Sequence, residues 1–463
     1  SGAECITVKI MEIKTAIVAG TGKSGISATN LLVKHGVKVY LFDENKERNV
    51  DDIMGKTGNS ELVNVMLGEL SDEALKSAQL MVISPGIPVD APFTDIVRNA
   101  KIPIWSEIEL AYHYGKGKIA AITGTNGKTT TTALVGEIVK AHNAKTIVVG
   151  NIGIPYTELC DTTDDDSATV AEISSFQLET VIDFHPNVSA VLNLTPDHLN
   201  RHYTFENYGN VKFSITKNQT MDDVAVFNYD DEHTRAMGEK AKDHCRVVYF
   251  SRLDKPAGGV YVKDGEIVLE DGDTEIDVLA LKDLKLLGSH NVENVLAAVG
   301  ISYYMGVPAA TIREVATSFK AVEHRIEYVD TIAGVAYYND SKGTNPDAAI
   351  KGIQAMVSPT YLIGGGYDKG SEFDEWIEAF DGKVKCLVLI GQTAEKIAGC
   401  AKRHGFNSLV FEENLQDAVA YCHEHAVDGD AVLLSPACAS WGQFDNYEQR
   451  GNMFKEYVRS YKE

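Results

Sequence analysis

Runs of consecutive apolar residues recur along the chain, each closing on a small or polar turn before a stretch with helical spacing. The first set is TAIVAG (15–20), KVYLFD (38–43), LMVISPG (80–86) and IPIW (102–105). The second is KIAAITG (118–124), TIVVGN (146–151), ATVAEIS (168–174), VSAVLNLT (188–195) and DVAVFN (223–228). The third is PTYLIGG (359–365), KCLVLIG (385–391), SLVF (408–411) and AVLLSP (431–436). Unbroken apolar strands alternating with helices predict parallel sheets covered by helices on both faces. Two stretches depart from this rhythm. Residues 258–279 alternate with period two around Asp-Gly pairs at 264–265 and 271–272, which predicts antiparallel hairpins. Residues 325–341 read as a further hairpin.

Length sharpens the picture: 463 residues suggest about three domains. Expected boundaries give 1–105, 106–322 and 323–463. The predicted fold class is α/β: a Rossmann-like N-terminal domain, a central parallel-sheet domain with extra antiparallel hairpins, and a Rossmann-like C-terminal domain. A formal net charge of -23 argues against a nucleic-acid partner, since phosphate backbones require basic surface. Nucleotides remain open as ligands, because a few local donors hold them. Seven cysteines, at 5, 160, 245, 386, 400, 422 and 438, form no C-x-x-C and are odd in number, as expected of reduced thiols in a cytoplasmic protein. No apolar run is long enough to span a bilayer, so no membrane partner is expected. The first twenty residues lack the charged-then-apolar order of a signal peptide. The acidic run 161–166 reads as a solvated loop.

The first strand runs into Gly20-Thr21-Gly22-Lys23-Ser24-Gly25, a complete G-x-G-x-x-G that opens a helix, and Asp43 ends the second strand where an acidic group meets a ribose. Glycines there let backbone N–H groups approach a phosphate at a helix N-terminus. The same loop serves NAD, FAD or a nucleoside diphosphate, or closes a bare βα turn.

A second loop follows the strand at 118–124. ITGTNGKTT matches G-x-x-x-x-G-K-[ST] except that Ile122 stands at the first glycine. Gly124 and Gly127 can turn the backbone so that amides, including those of Asn126 and Thr130, face a phosphate. Lys128 can reach the β- and γ-phosphates, and the Thr129 hydroxyl can hold Mg²⁺. Glu172 ends one strand of the same predicted domain, and Asp197 and His198 follow another. Ligands collect at such strand ends, so Glu172 and His198 can meet around Mg²⁺, a cation that prefers oxygen ligands. Asn291 and Asn294 share a helix face and can read an adenine edge or cap the helix start. Lys212, in YGNVK, reads from its own surroundings as a surface helix lysine.

GTNGKTT resembles the phosphate loop of the ATP-dependent Mur ligase family and its relative folylpolyglutamate synthetase, three-domain enzymes that form amide bonds. The resemblance runs over essentially the whole chain. It implies phosphoryl transfer from ATP to a substrate carboxylate, then attack by an amine on the acyl phosphate. It implies that Thr129, Glu172 and His198 hold Mg²⁺, with two ions expected, and that Lys212 is carbamylated. Lys128, Lys212, His198 and Lys342 become candidate catalytic residues. Asn291 and Asn294 take the adenine, Arg325 the phosphates and Asp340 the ribose.

Within that family, SPACASWGQFDNYEQRG (435–451) resembles the members that add D-glutamate to UDP-N-acetylmuramoyl-L-alanine in peptidoglycan precursor synthesis. The D-N-P-R signature of members that add diaminopimelate or lysine is missing. His324, Thr344, Lys369, Ser440, Trp441 and Tyr447 would surround D-glutamate. Thr21, Gly22, Lys23, Ser24, Asp43 and Gly86 would hold the UDP group. Asn151, Ser174 and Gln177 would face the muramoyl-alanine arm. Trp441 stands where relatives commonly have an aliphatic residue, which puts side-chain selectivity in question. A monomer is expected. The rival readings are an NAD-dependent oxidoreductase built on Gly20–Gly25, which leaves the second loop unexplained, a nucleotide-gated binding protein, and a ligase of the folylpolyglutamate synthetase type.

Overall fold

A computed structural model describes residues 9–151, 153–195, 199–286, 289–320 and 322–462. The described residues form three sheets, and the chain divides into two compact units, 1–194 with 204–319, and 195–203 with 320–463.

The first sheet contains β1 (Thr15–Ala19), β2 (Lys38–Asp43), β3 (Val63–Leu67), β4 (Leu80–Ile83) and β5 (Ile104–Ser106). Its order is β3-β2-β1-β4-β5, all parallel. Strand order reverses between β1 and β4, and ligands of open α/β sheets bind at such a point. The central sheet contains β6 (Lys118–Thr123), β7 (Thr146–Gly150), β8 (Ala168–Glu172), β9 (Val188–Val191), β10 (Val224–Asn228), β11 (Arg246–Ser251), β12 (Val260–Lys263), β13 (Glu266–Asp271) and β14 (Thr274–Ala280). Its order is β14-β13-β12-β11-β10-β9-β6-β8-β7. The predicted hairpins are its antiparallel edge. The third sheet contains β15 (Glu327–Ile332), β16 (Val335–Asn339), β17 (Thr360–Gly364), β18 (Val384–Leu389), β19 (Leu409–Phe411) and β20 (Ala431–Leu434), in the order β15-β16-β20-β17-β18-β19. Only its β15–β16 hairpin is antiparallel.

The apolar runs are unbroken because the sheets are covered on both faces. In β17, Leu362 packs into one core layer and its neighbour Ile363 into the other. Two strands lie outside the predicted set. β3 is an edge strand in which Asn64 interrupts the apolar run and only Val63 is buried. β11 pairs parallel to both β10 and β12.

The first two sheets share one core, which joins Val18, Leu32 and Trp105 to Ala121, Val191 and Phe227. The helix Glu107–Tyr114 stitches them together. Glu107 accepts bonds from Thr157 N at 2.6 Å and Thr157 Oγ1 at 2.9 Å. Glu109 accepts from the amides of Ile182, Asp183 and Phe184 at 3.0, 2.7 and 3.1 Å. The run 161–166 is not wholly solvated: Asp161 is largely covered and pairs with Lys34 at 2.6 Å. Among the described residues no helix is long and apolar enough to cross a membrane.

Candidate functional site

The phosphate-loop candidate lies between β6 and the helix Lys128–His142. Gly127 caps that helix in the left-handed region, at φ 81°, with no side-chain cap bond. The first N–H groups of a helix have no intrahelical partner, so this end offers donors to an anion. Gly124 is also left-handed, at φ 150°. Glycine tolerates both conformations.

Asn193, which follows β9, holds the loop in shape. Its Oδ1 accepts from Asn126 N at 2.8 Å, and its Nδ2 donates to Asn126 O at 3.0 Å. The sequence reading missed this residue, although it stands in a quoted strand end. Lys128 Nζ donates to Gly124 O and Thr125 O at 2.8 and 2.9 Å, curling back over the loop. Thr129 Oγ1 donates to Glu172 Oε2 at 3.1 Å, which brings the two candidate metal ligands together, and Glu172 is buried. Thr130 follows, half-buried, in the first helical turn.

Lys212 corrects one expectation. Far from being a surface lysine, it is 2% exposed in the helix Phe205–Phe213. Its Nζ donates to Thr123 Oγ1 and Gly124 O at 3.1 and 3.0 Å. Such bonds offset part of the desolvation that burying the amine costs. Its partners come from a strand about ninety positions away, so nothing local in the sequence signals it. Asn294, in the helix Ser289–Tyr304, lies against Gly127 and donates from Nδ2 to Asn291 Oδ1 at 3.2 Å. His198 and Asp197 lie outside the described residues.

The glycine loop after β1 sits at the reversal of the first sheet. A Cβ on Gly20 would strike Ser84, and one on Gly25 would strike the Gly20 carbonyl, whereas Gly22 faces open space. Thr21 Oγ1 donates to Asp43 Oδ2 at 2.5 Å, fixing the carboxylate beside the loop, and Arg48 Nε approaches the same oxygen at 3.5 Å. Ser24 is half-buried in the first helical turn, and Gly86 lies in the turn after β4. Lys23 is exposed and donates to Gly153 O at 2.6 Å. Asn151 is half-buried and its N–H donates to Glu172 O at 2.9 Å. Ser174 and Gln177 cap the short helix Ser175–Leu178 reciprocally, so their side chains already serve each other.

In the second unit, three loops meet at the C-terminal ends of β16, β17 and β20. Gly365 N bonds Pro436 O, and Tyr367 N bonds Ala439 O, both at 2.9 Å, joining the Gly-rich loop to the 435–446 loop. Arg450, in the helix Tyr447–Arg459, ties the third loop to them. It donates from Nε to Ser341 Oγ at 2.9 Å, from Nη2 to Ser341 O at 2.8 Å and from Nη1 to Cys438 O at 3.0 Å. Burial lowers its guanidinium to about 10. The sequence reading missed it too, because a lone arginine in a helix carries no local signal.

Asp340 is buried and bonded by Ser435 Oγ at 2.7 Å and Ile326 N at 3.1 Å. Desolvation dominates these bonds and raises its carboxyl to about 7. His324, left-handed at φ 63°, accepts at Nδ1 from Asn339 Nδ2 at 2.9 Å and stacks edge-on against Tyr447. Burial, then the charge of Lys455, lowers its imidazole. Arg325 and Thr344 are half-buried. Lys342 is exposed, 6.0 Å above the Tyr447 ring. Lys369 lies 5.5 Å over Trp441, which also meets Tyr367 edge-on. Trp441 is 55% exposed, while Ser440 beside it is buried.

Comparison with known proteins matches the chain to three families: Mur ligase MurD-like, N-terminal domain over residues 14–106, Mur ligase middle domain over 122–302, and Mur ligase, glutamate ligase domain over 324–438. A UDP-N-acetylmuramoylalanine–D-glutamate ligase of Lachnospira eligens is 54% identical, covering 96% of this chain and 99% of that protein. One from Lachnoclostridium phytofermentans is 51% identical over 97% and 99%. Among solved structures, a murein peptide ligase from Psychrobacter arcticus shares the fold, at 15% identity and TM-score 0.50, covering 96% of this chain and 98% of that one.

Proposed function

The chain belongs to the Mur ligase family, and from that premise we propose that it joins D-glutamate to UDP-N-acetylmuramoyl-L-alanine at the expense of ATP, in peptidoglycan precursor synthesis. The observation that carries this reading is the convergence of Lys128, the Thr129–Glu172 pair and buried Lys212 on one glycine loop. In this reading residues 1–105 bind the UDP substrate, 106–322 the ATP and 323–463 the amino acid. The protein would work as a cytoplasmic monomer.

The donor set suits Mg²⁺: a hydroxyl and a carboxylate lie 3.1 Å apart beside a helix end built for phosphate. Thr129, Glu172, His198 and a carbamylated Lys212 would share two ions. When bound, Mg²⁺ neutralises phosphate charge. The chain's own residues do the rest. Gly124, Asn126, Gly127 and Thr130 present backbone around the phosphates, and Lys128 turns from the Gly124 carbonyl to the γ-phosphate. Asn291 and Asn294 take the adenine, Asp340 the ribose and Arg325 the phosphates. Thr21, Gly22, Lys23, Ser24, Asp43 and Gly86 hold the UDP group, with Asn151, Ser174 and Gln177 along the acyl arm.

The alanine carboxylate oxygen attacks the γ-phosphorus and ADP leaves. The D-glutamate amine then attacks the acyl carbon, loses a proton, and phosphate departs with its oxygen. Catalysis is mainly positioning and electrostatics. His324, Thr344, Lys369, Ser440, Trp441 and Tyr447 orient the amino acid, and Lys342 stabilises developing charge. Carbamylation of Lys212 keeps one N–H on Nζ, so only one of the bonds it donates to Thr123 Oγ1 and Gly124 O would survive it. A ¹³CO₂-derived carbamate resonance that disappears in Lys212→Arg would establish the modification.

The deciding experiment is phosphate release from MgATP with UDP-N-acetylmuramoyl-L-alanine, offering D-Glu, L-Glu, L-Lys or glycine. Release with D-Glu alone is expected. Release with another amino acid would overturn the reading of Lys369 and the 435–446 loop. No release with any would overturn the ligase reading.

A further inference from the structure

Away from these loops, two helices of the second unit bring a different chemistry together. Asp374 begins the helix Asp374–Glu378 and Cys400 lies in the helix Ala394–Arg403, which His404 terminates. One ligand atom each from Asp374, Cys400 and His404 falls within 4.8 Å of the other two. Each helix contributes an i, i+4 pair: Asp374 with Glu378, and Cys400 with His404, so each pair shares a face. His404 Nε2 lies 2.8 Å from Asp374 Oδ1, and its other ring nitrogen, Nδ1, faces Glu378 Oε1 at 3.9 Å.

We propose that Asp374, Cys400 and His404 form a Zn²⁺ site, with water as the fourth ligand and Glu378 behind the imidazole. The ligand types select the ion. Thiolate and imidazole with one carboxylate suit zinc and exclude Mg²⁺ and Ca²⁺, which take oxygen cages. The position of Glu378 is an independent sign. A zinc-bound histidine donates its second N–H to a carboxylate, which fixes ring and tautomer, and Glu378 occupies that side. An ordinary Asp–His ion pair would need neither a thiol beside it nor a second carboxylate on the far nitrogen. Asp374 and His404 side chains are 47% and 27% exposed, which leaves an entry path, while Cys400 belongs to the core layer beneath. On binding, the Cys400 thiol gives its proton to solvent and no electron moves. The ion would tie the helix after β17 to the helix after β18. This site is independent of the ligase reading.

The full-length protein, stripped with chelator and kept reduced, is titrated with Co²⁺. One equivalent should produce a thiolate-to-cobalt charge-transfer band that Zn²⁺ abolishes. The donor set proposed at the phosphate-loop candidate contains no thiol and gives no such band. Cys400→Ser should remove the band. His404→Ala and Asp374→Asn, at partly exposed side chains, should weaken Co²⁺ binding by about tenfold or more, and Glu378→Gln by about tenfold. Unchanged melting temperatures of the Asp374 and His404 variants without metal keep the comparison valid. No band in the folded wild type, a band that survives in Cys400→Ser, or unchanged affinity in both His404→Ala and Asp374→Asn would overturn the site.

Discussion

Gly20, Gly22 and Gly25 fill one motif for different reasons. A side chain at Gly20 or Gly25 has nowhere to go, because Ser84 and the Gly20 carbonyl already occupy the space. Gly22 has room on every side, so its bareness serves an approaching ligand. Gly25→Ala should therefore lower the melting temperature, by about 1–3 kcal/mol of overpacking. Gly22→Ala should leave it unchanged and raise KM for the UDP substrate about tenfold; equal effects of the two on stability would refute the distinction. Asp340 supplies a pH signature. Its carboxyl titrates near 7 in the fold against an ordinary 3.8. Between those values the folded protein keeps a proton that the unfolded chain has lost, so this group's contribution to stability falls as pH rises from about 4 to 7. Melting curves from pH 5 to 8 should show the wild type losing ground to Asp340→Asn; a constant gap would rule this out. Lys212 marks the limit of reading residues singly. Its neighbours in sequence are those of a surface helix, and its partners arrive through the parallel ladder.

At the scale of elements, most of the fold was legible. Apolar runs flanked by glycine or polar turns located the buried parallel strands, and Asp-Gly pairs located the hairpins. β3 was illegible because an edge strand buries little, so Asn64 costs it nothing. The glycine turn after β6 was legible despite Ile122, since Gly124 and Gly127 carry the left-handed turns. The clasp of Asn193 and the tie of Arg450 were not, because both depend on which loops lie side by side. The helix Glu107–Tyr114 shows the same point. The start Glu107-Ile108-Glu109 carries no local sign of burial, yet the Glu109 carboxylate is fully buried and gathers three amides. Glu109→Gln replaces one acceptor oxygen by a donor and leaves buried N–H groups facing it, at a cost of about 1–3 kcal/mol. Thermal unfolding should reveal a drop of several degrees, and an unchanged midpoint would show that the carboxylate does not hold the joint.

For the whole molecule, the first two sheets behave as one piece. Besides Glu107 and Glu109, Ser27 bonds Thr157 at 2.8 Å and Lys23 reaches Gly153 at 2.6 Å. Residues 1–105 and 106–322, expected as two domains, therefore contribute to a common core. That rigidity turns the first unit into a ruler. If the UDP group is anchored at Thr21–Ser24 and the γ-phosphate at Gly124–Thr130, the span between them has a set length, and only an acyl arm of matching reach presents its carboxylate for attack. UDP-N-acetylmuramate, one residue shorter, should then lose kcat by about a hundredfold while its KM changes little, as misplacement of a reacting atom predicts. Equal turnover of long and short arms would mean that the frame does not measure. The enzyme would recognise its substrate by how far it extends, with the joint beside Glu109 setting the gauge.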